Sequence, residues 1–141
     1  CDQTAVVIAA PDSARLNTDN FSSITRVDFS YLLIGDHGVL TLVPVLHRLY
    51  KLRWLNLAHN GIKNTGLREL VQHCLLTHPS ITHLDLSGNL ISKDGGKDLL
   101  LLVTRNLNLA TLVLEGTKID SSFIAKILQP LNERRKQQVV C

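Results

Sequence analysis

Several residue types are scarce in this chain of 141 residues, and each scarcity excludes a class of protein. Methionine is absent, and aromatic residues make up only 4% of the chain, with a single tryptophan. The three cysteines stand at positions 1, 74 and 141, which are too few and too far apart for a disulfide framework. No apolar run is long enough to span a bilayer as a helix. A disulfide-rich scaffold and a transmembrane protein are therefore both disfavoured.

The remaining bulk properties are those of a packed domain. Hydrophobic residues make up 45% of the chain, and the formal net charge is only +3. The start at Cys1, together with the absence of Met, suggests either that an initiator has been removed or that the chain is a segment excised from a longer protein. The first residues lack a basic leader and are interrupted by Pro11, so we do not expect a signal peptide. With so few cysteines, a reducing, cytoplasmic location is expected.

An internal repeat is the most informative feature of the sequence. Lines that begin at Ile24, Leu52, Ile81 and Leu109 follow one another at steps of 28, 29 and 28 residues. Each line has apolar residues at offsets 0, 3, 5 and 10 from its start. A period in the twenties with an LxxLxLxxN core is typical of a leucine-rich solenoid. Two lines also have Asn at offset 8 and three have Gly at offset 14: Asn60, Asn89, Gly38, Gly66 and Gly95.

The two central lines read LRWLNLAHNGIKNTGLRELVQHCLLTHPS and ITHLDLSGNLISKDGGKDLLLLVTRNLN. They resemble leucine-rich repeats of the ribonuclease-inhibitor type, and the resemblance extends from residue 24 to about residue 132. It implies long repeats that pair a short strand with a full helix, with Asn60 and Asn89 in a buried ladder. It also implies binding to another protein, and it leaves regulation of an enzyme as an alternative, since members of this family inhibit enzymes or activate GTPases.

The spacing itself predicts how one repeat folds. Offsets 3 and 5 lie on one side of a strand, so Leu55 and Leu57 should face the core while offsets 2, 4 and 6 face solvent. Apolar residues at helical spacing follow Gly66. Because no repeat can bury its apolar side alone, the repeats must stack. We expect an α/β leucine-rich repeat solenoid with a curved parallel β-sheet on the concave side, helices on the convex side, and about four repeats plus caps.

The two ends of the chain depart from the repeat. Residues 1–23 are predicted to form an N-terminal cap or a degenerate repeat, and residues 133–141 a polar C-terminal tail. Pro44 and Pro130 should each kink a helix or mark its late start. The leucine-rich repeats between the two ends, which span 24–132, are predicted at 24–51, 52–80, 81–108 and 109–132.

The solvent-facing strand positions are the candidate partner-binding site, because the repeat does not constrain them. They place Trp54 among Arg, His and Asp, a composition typical of protein-recognition hot spots. The alternative is that Trp54 packs on its neighbours, or beneath the N-terminal segment, and serves stability. The predicted partner-binding residues are Arg26, Asp28, Trp54, Asn56, His83, Asp85, Ser87, Thr111 and Glu115.

No motif for catalysis or for a cofactor is found. His83 and Asp85 lie two residues apart, but no third strong ligand accompanies them, so no metal site is predicted. Gly95–Lys97 lacks both the upstream Gly of a P-loop and the Ser or Thr after its Lys. We expect no catalytic residues and no cofactor.

The predicted function is therefore a non-catalytic protein–protein interaction module, a scaffold that binds another protein through its concave strand face. The partner's identity and the oligomeric state stay open. One alternative is an enzyme regulator, either an inhibitor or a GTPase activator that donates Arg15 or Arg26. Another is a fragment of a larger multidomain leucine-rich repeat protein. Nucleic-acid binding through Arg134, Arg135 and Lys136 is not expected, because this basic run is short. Membrane insertion is not expected either.

Overall fold

The computed structural model describes residues 23–139, and their side chains as far as residue 136. Within that span, four three-residue strands alternate with four helices. Apart from Ser23, the predicted N-terminal cap lies outside the described residues. The strands are β1 (Arg26–Asp28), β2 (Trp54–Asn56), β3 (His83–Asp85) and β4 (Thr111–Val113); the helices are α1 (Gly35–Arg48), α2 (Asn64–Leu70), α3 (Lys93–Arg105) and α4 (Ser121–Val139). Helix α2 continues into a π-helical turn, Val71–Leu75.

The strands form one parallel sheet in the order β1-β2-β3-β4. Each strand residue pairs with the residue at the same offset in the next repeat, as Val27 does with Leu55 and Leu55 with Leu84. The predicted α/β leucine-rich repeat fold is therefore confirmed. The sheet lines the concave side and the helices form the convex layer, since helices need more lateral room than strands spaced about 4.8 Å apart.

The core lies between the sheet and the helices. Leu55 and Leu57 are fully buried, as are their equivalents Leu84 and Leu86 in the next repeat. The helices contribute apolar residues at a repeated position from the opposite side: Leu70, Leu99 and Ile127. The apolar offsets in the sequence thus correspond to one continuous core.

Asn60 and Asn89 form the buried ladder that the family resemblance implied. The Oδ1 atom of Asn89 accepts hydrogen bonds from the backbone N–H groups of Asn60 (2.9 Å) and Ile62 (3.1 Å). Its Nδ2 atom donates to the carbonyl of Leu57 at 2.9 Å. Asn60 bonds the first repeat in the same way, accepting from the N–H of Leu32 at 2.8 Å. Each Asn therefore satisfies backbone groups of the repeat before its own.

A second set of contacts between repeats explains two of the glycines at offset 14, Gly66 and Gly95. The Oδ1 atom of Asn64 accepts from the N–H groups of Ser92 (2.9 Å) and Gly95 (3.1 Å), and so caps the start of α3 from the preceding repeat. A Cβ atom at Gly95 would overlap Asn64, and one at Gly66 would overlap Asp36. Glycine is required at Gly66 and Gly95 because the preceding repeat approaches so closely.

The polar residues at the C-terminal end belong to the last helix. Helix α4 runs to Val139, so the residues predicted as a polar tail are helical that far. Pro130 lies inside α4 and Pro44 inside α1, so neither proline marks a late helix start. The Arg134 guanidinium donates to the carbonyls of Asn106 (3.3 Å), Leu109 (3.1 Å) and Val103, which closes the end of α3.

Among the described residues, no helix has both the length and the apolar character to cross a membrane.

Candidate functional site

The sheet brings the predicted site residues together in two parallel rows. The residues at offset 2 pair across neighbouring strands, and so do those at offset 4. All of them lie on the side of the sheet opposite the core, and all but Arg26, which is exposed, are partly buried. We call this surface the strand face; its residues are Arg26, Trp54, His83 and Thr111 in one row, and Asp28, Asn56, Asp85 and Val113 in the other.

Trp54 lies at the centre of the strand face between two flat side chains. The guanidinium carbon of Arg26 is 4.0 Å from the centroid of the Trp54 ring. On the other side, the His83 ring stacks on Trp54 with centroids 5.5 Å apart and planes 15° from parallel. Because β1 and β3 flank β2 on opposite sides, both faces of the indole are covered. Trp54 therefore packs on its neighbours, as the structural alternative required, and offers only its edge to a partner.

The second row is held by one repeated turn. Asp28, Asn56 and Asp85 each accept, through Oδ1, the backbone N–H two residues later at 2.9 Å. Ser87 also donates its hydroxyl to Asp85 at 2.6 Å, so this predicted contact residue is already engaged within the chain. Ala58 is buried at 4% exposure, although its offset predicted a solvent-facing position. The turn fixes the orientation of all three polar side chains and leaves one oxygen of each carboxylate outside it.

Thr111 and Glu115 lie at the C-terminal end of the site. The Arg135 side chain reaches from α4 to donate to the Thr111 hydroxyl at 2.7 Å and to the Ala110 carbonyl at 2.9 Å. Glu115 lies beyond the end of β4 and is exposed. Arg135 extends the row that begins with Arg26, and the sequence prediction missed it because it placed this residue in a tail. The only sequence signal was the basic run itself.

The surroundings of His83 favour the neutral form of its imidazole by lowering its pKa. Partial burial lowers the pKa of this imidazole below its ordinary value, and the positive charges of Arg26 and Arg135 lower it further. The neighbouring Asp85 carboxylate opposes them by raising the pKa. A neutral imidazole suits its flat stacking on Trp54 between two arginines.

A row of left-handed residues follows the strands at offset 7. Tyr31, His59, Gly88 and Gly116 have φ between 56° and 72°. The Tyr31 and His59 rings stack with centroids 4.5 Å apart, and a Cβ atom at Gly88 would overlap the His59 ring. Tyr31 is 70% exposed and Leu33, also left-handed, is 89% exposed. The first repeat therefore presents apolar side chains beside the strand face, on backbone that disfavours residues other than glycine.

Two buried titratable groups away from the strand face, Cys74 and His78, are structural. Burial raises the pKa of the Cys74 thiol to about 12, which makes this cysteine unreactive. His78 is buried and bonds the Leu49 carbonyl through Nε2 at 3.0 Å. In the part of the chain that the structure describes, no group of three or more His, Cys, Asp or Glu residues could hold a metal ion.

Comparisons with known sequences agree with this architecture. The family model described as "Leucine Rich repeat" matches residues 51–71 and 77–100. Photoactivated adenylate cyclase subunit alpha of Euglena gracilis is 29% identical over 113 residues, which are 78% of this chain and 11% of that protein. The subunit alpha-like protein FB of the same organism matches to the same extent. The match thus spans only a small part of these curated relatives.

A solved structure is similar in fold to this chain. The chain named "Leiomodin-1 Actin-Binding Site 2 (ABS2)" superposes with a TM-score of 0.66 at 14% identity, covering 95% of this chain and 84% of that one. A tropomodulin C-terminal domain of Caenorhabditis elegans gives a TM-score of 0.42 at 11% identity, covering 99% and 92%. The likeness to the leiomodin-1 chain concerns the fold alone.

Proposed function

The chain is a leucine-rich repeat protein, and from this premise we propose that it binds a partner protein through its strand face and carries out no chemistry itself. The observation that carries the proposal is the stack of Arg26, Trp54 and His83 beside the ordered row of Asp28, Asn56 and Asp85. Tryptophan and arginine dominate the energetics of protein interfaces. This combination lies on the sheet surface opposite the core, where Arg26 is exposed and Trp54 offers its edge to a partner.

Preorganisation supports the same proposal. A side chain that is ordered on binding loses about 0.5–1.5 kcal/mol of conformational freedom. Trp54 is already fixed between two neighbours, and Asp85 is fixed by its own turn and by Ser87. A partner that binds here pays little of that cost. The proposed contact residues are those predicted from the sequence, with Arg135 added.

The enzyme-regulator alternative has less support. A GTPase activator would need an arginine on an exposed loop. Arg26 instead lies on β1 with its guanidinium over Trp54. Arg15 lies outside the described residues. We keep the binding module as the proposed function, with the cytoplasm as the proposed compartment.

The test measures how much of each partner protein becomes crosslinked to the chain and is captured with it. The wild type is compared with a variant that carries both Trp54→Ala and Asp85→Ala. The control variant carries Lys93→Ala and Lys126→Ala, which change two exposed side chains on the helical side. Circular dichroism checks that both variants are folded. We expect partners to be lost only with the strand-face variant, and an identical partner list for all three proteins would refute the proposal.

Purified monomeric actin provides a defined probe for the same variants. The leiomodin-1 chain of similar fold carries an actin-binding site by name, which makes actin the first partner to assay. Saturable binding that the strand-face variant loses and the control keeps would identify actin as a partner. Binding that all three proteins share would place the contact elsewhere on the chain.

A further inference from the structure

Charge is distributed unequally between the two edges of the solenoid. One edge, which we call the strand-start edge, consists of the helix ends and helix-to-strand loops at residues 48–53, 71–82, 105–110 and 133–136. It carries seven Lys and Arg residues and a single acidic residue, Glu133. The opposite edge, where strands end and helices begin, mixes lysines with carboxylates such as Asp94 and Asp120. The described structure is therefore positive along one edge only.

The positive edge contains a shallow cavity of about 370 Å³ at the start of the first three strands. Lys51 and Arg53 line it with Thr25 and Ser80, and both cations are exposed. Among the described residues, no carboxylate lines the cavity and none forms an ion pair with Lys51 or Arg53. Two adjacent cations without a described counterion offer a site for an anionic group.

The cavity adjoins the strand face directly. Arg53 precedes Trp54 in the chain, and Arg26 lies over the Trp54 ring. At the other end of the same row, Arg135 lies beside Thr111. Three strand spacings of about 4.8 Å separate the first strand from the fourth, which matches about four or five residues of extended chain. The cations are therefore spread over a distance that one short extended peptide can span.

We propose that the strand-start edge binds an extended acidic segment of a partner protein, whose carboxylates face Lys51 and Arg53 and then Arg26 and Arg135. Arginine can bind a carboxylate with two parallel hydrogen bonds. We favour a peptide over a nucleic acid because these four cations lie within the width of four strands, whereas nucleic-acid affinity comes from many phosphate contacts. Arg134 cannot supply one, since its guanidinium is engaged by three carbonyls. The inference rests on the proposed function in one respect: the partner that binds the strand face is the protein that carries the acidic segment.

The test is fluorescence anisotropy of the full chain with a labelled pentaglutamate peptide at low ionic strength. The edge variant carries Lys51→Glu and Arg53→Glu. The control variant carries Lys93→Glu and Lys126→Glu, which change the net charge equally on exposed residues elsewhere. We expect the edge variant to bind the peptide about tenfold more weakly, since two exposed ion pairs are replaced by repulsions, and the control within about twofold.

Three results would overturn the inference. The first is that the wild type does not bind the peptide. The second is equal weakening in both variants, which would mean that only net charge matters. The third is tighter binding of a labelled dT12 oligonucleotide than of the peptide, lost in the edge variant, which would identify a nucleic-acid site. The variant with Trp54→Ala and Asp85→Ala is expected to keep its peptide binding. The strand-face proposal can therefore fail while the strand-start-edge proposal holds, and the strand-start-edge proposal can fail while the strand-face proposal holds.

Discussion

Replacing Asn89 with alanine should remove a large part of the stability of the repeat stack. The side chain is 1% exposed, and its Oδ1 is the only acceptor that the described structure gives to the N–H groups of Asn60 and Ile62. The Leu86 carbonyl also loses the Nδ2 donor at 3.0 Å. A buried polar group left without a partner costs about 1–3 kcal/mol, so we expect a loss of about 4 kcal/mol. A whole domain is stable by only about 5–15 kcal/mol.

Urea unfolding followed by far-ultraviolet circular dichroism measures this loss. Asn108→Ala is the matched control, because Asn108 is exposed and its Nδ2 atom makes one bond, to the Pro79 carbonyl at 3.0 Å. The control should change the free energy of unfolding by no more than about 0.5 kcal/mol. If Asn89→Ala lost less than about 1 kcal/mol, or no more than Asn108→Ala, the ladder would not be a main source of stability and the reasoning would be wrong.

Two further predictions use the same unfolding assay. Burial lowers the pKa of His78 from its ordinary 6.5, so the stability that the neutral imidazole contributes is full above pH 6.5 and is lost as the pH falls through the lowered folded-state pKa. His78→Gln should reduce this slope between pH 7 and pH 5, and an unchanged slope would contradict the assignment. Arg134→Ala should cost about 2 kcal/mol through the lost carbonyl contacts, with Arg134→Lys recovering less than half. Equal stability of Arg134→Ala and a Lys136→Ala control would show that these contacts contribute nothing.

The features that could be predicted from the sequence are those that recur at the same offset in several repeats. The register of Val27, Leu55 and Leu84 follows from identical offsets, and so does the position of the strand face. Asn60 and Asn89 share a residue type at one offset, which made the ladder recognisable. A constraint that every repeat must satisfy with the same kind of residue leaves a visible pattern.

The contacts that could not be predicted join unlike residues from different repeats. The offset that caps the next helix holds Asp36 in one repeat and Asn64 in the next, so no pattern marks it. The position of Trp54 between Arg26 and His83 depends on side-chain conformations on three strands. Such conformations are set by packing, and the period of the sequence carries no information about them.

The two sets of contacts between repeats point in opposite directions along the chain. Asn89 serves backbone groups of the repeat before it, whereas Asn64 caps the helix of the repeat after it. A repeat at either end cannot detach without exposing polar groups that its neighbour had satisfied. The free energy that couples adjacent repeats is accordingly large relative to what one repeat gains alone. The stack is therefore expected to lose its structure cooperatively, as one unit, and not by fraying from one end.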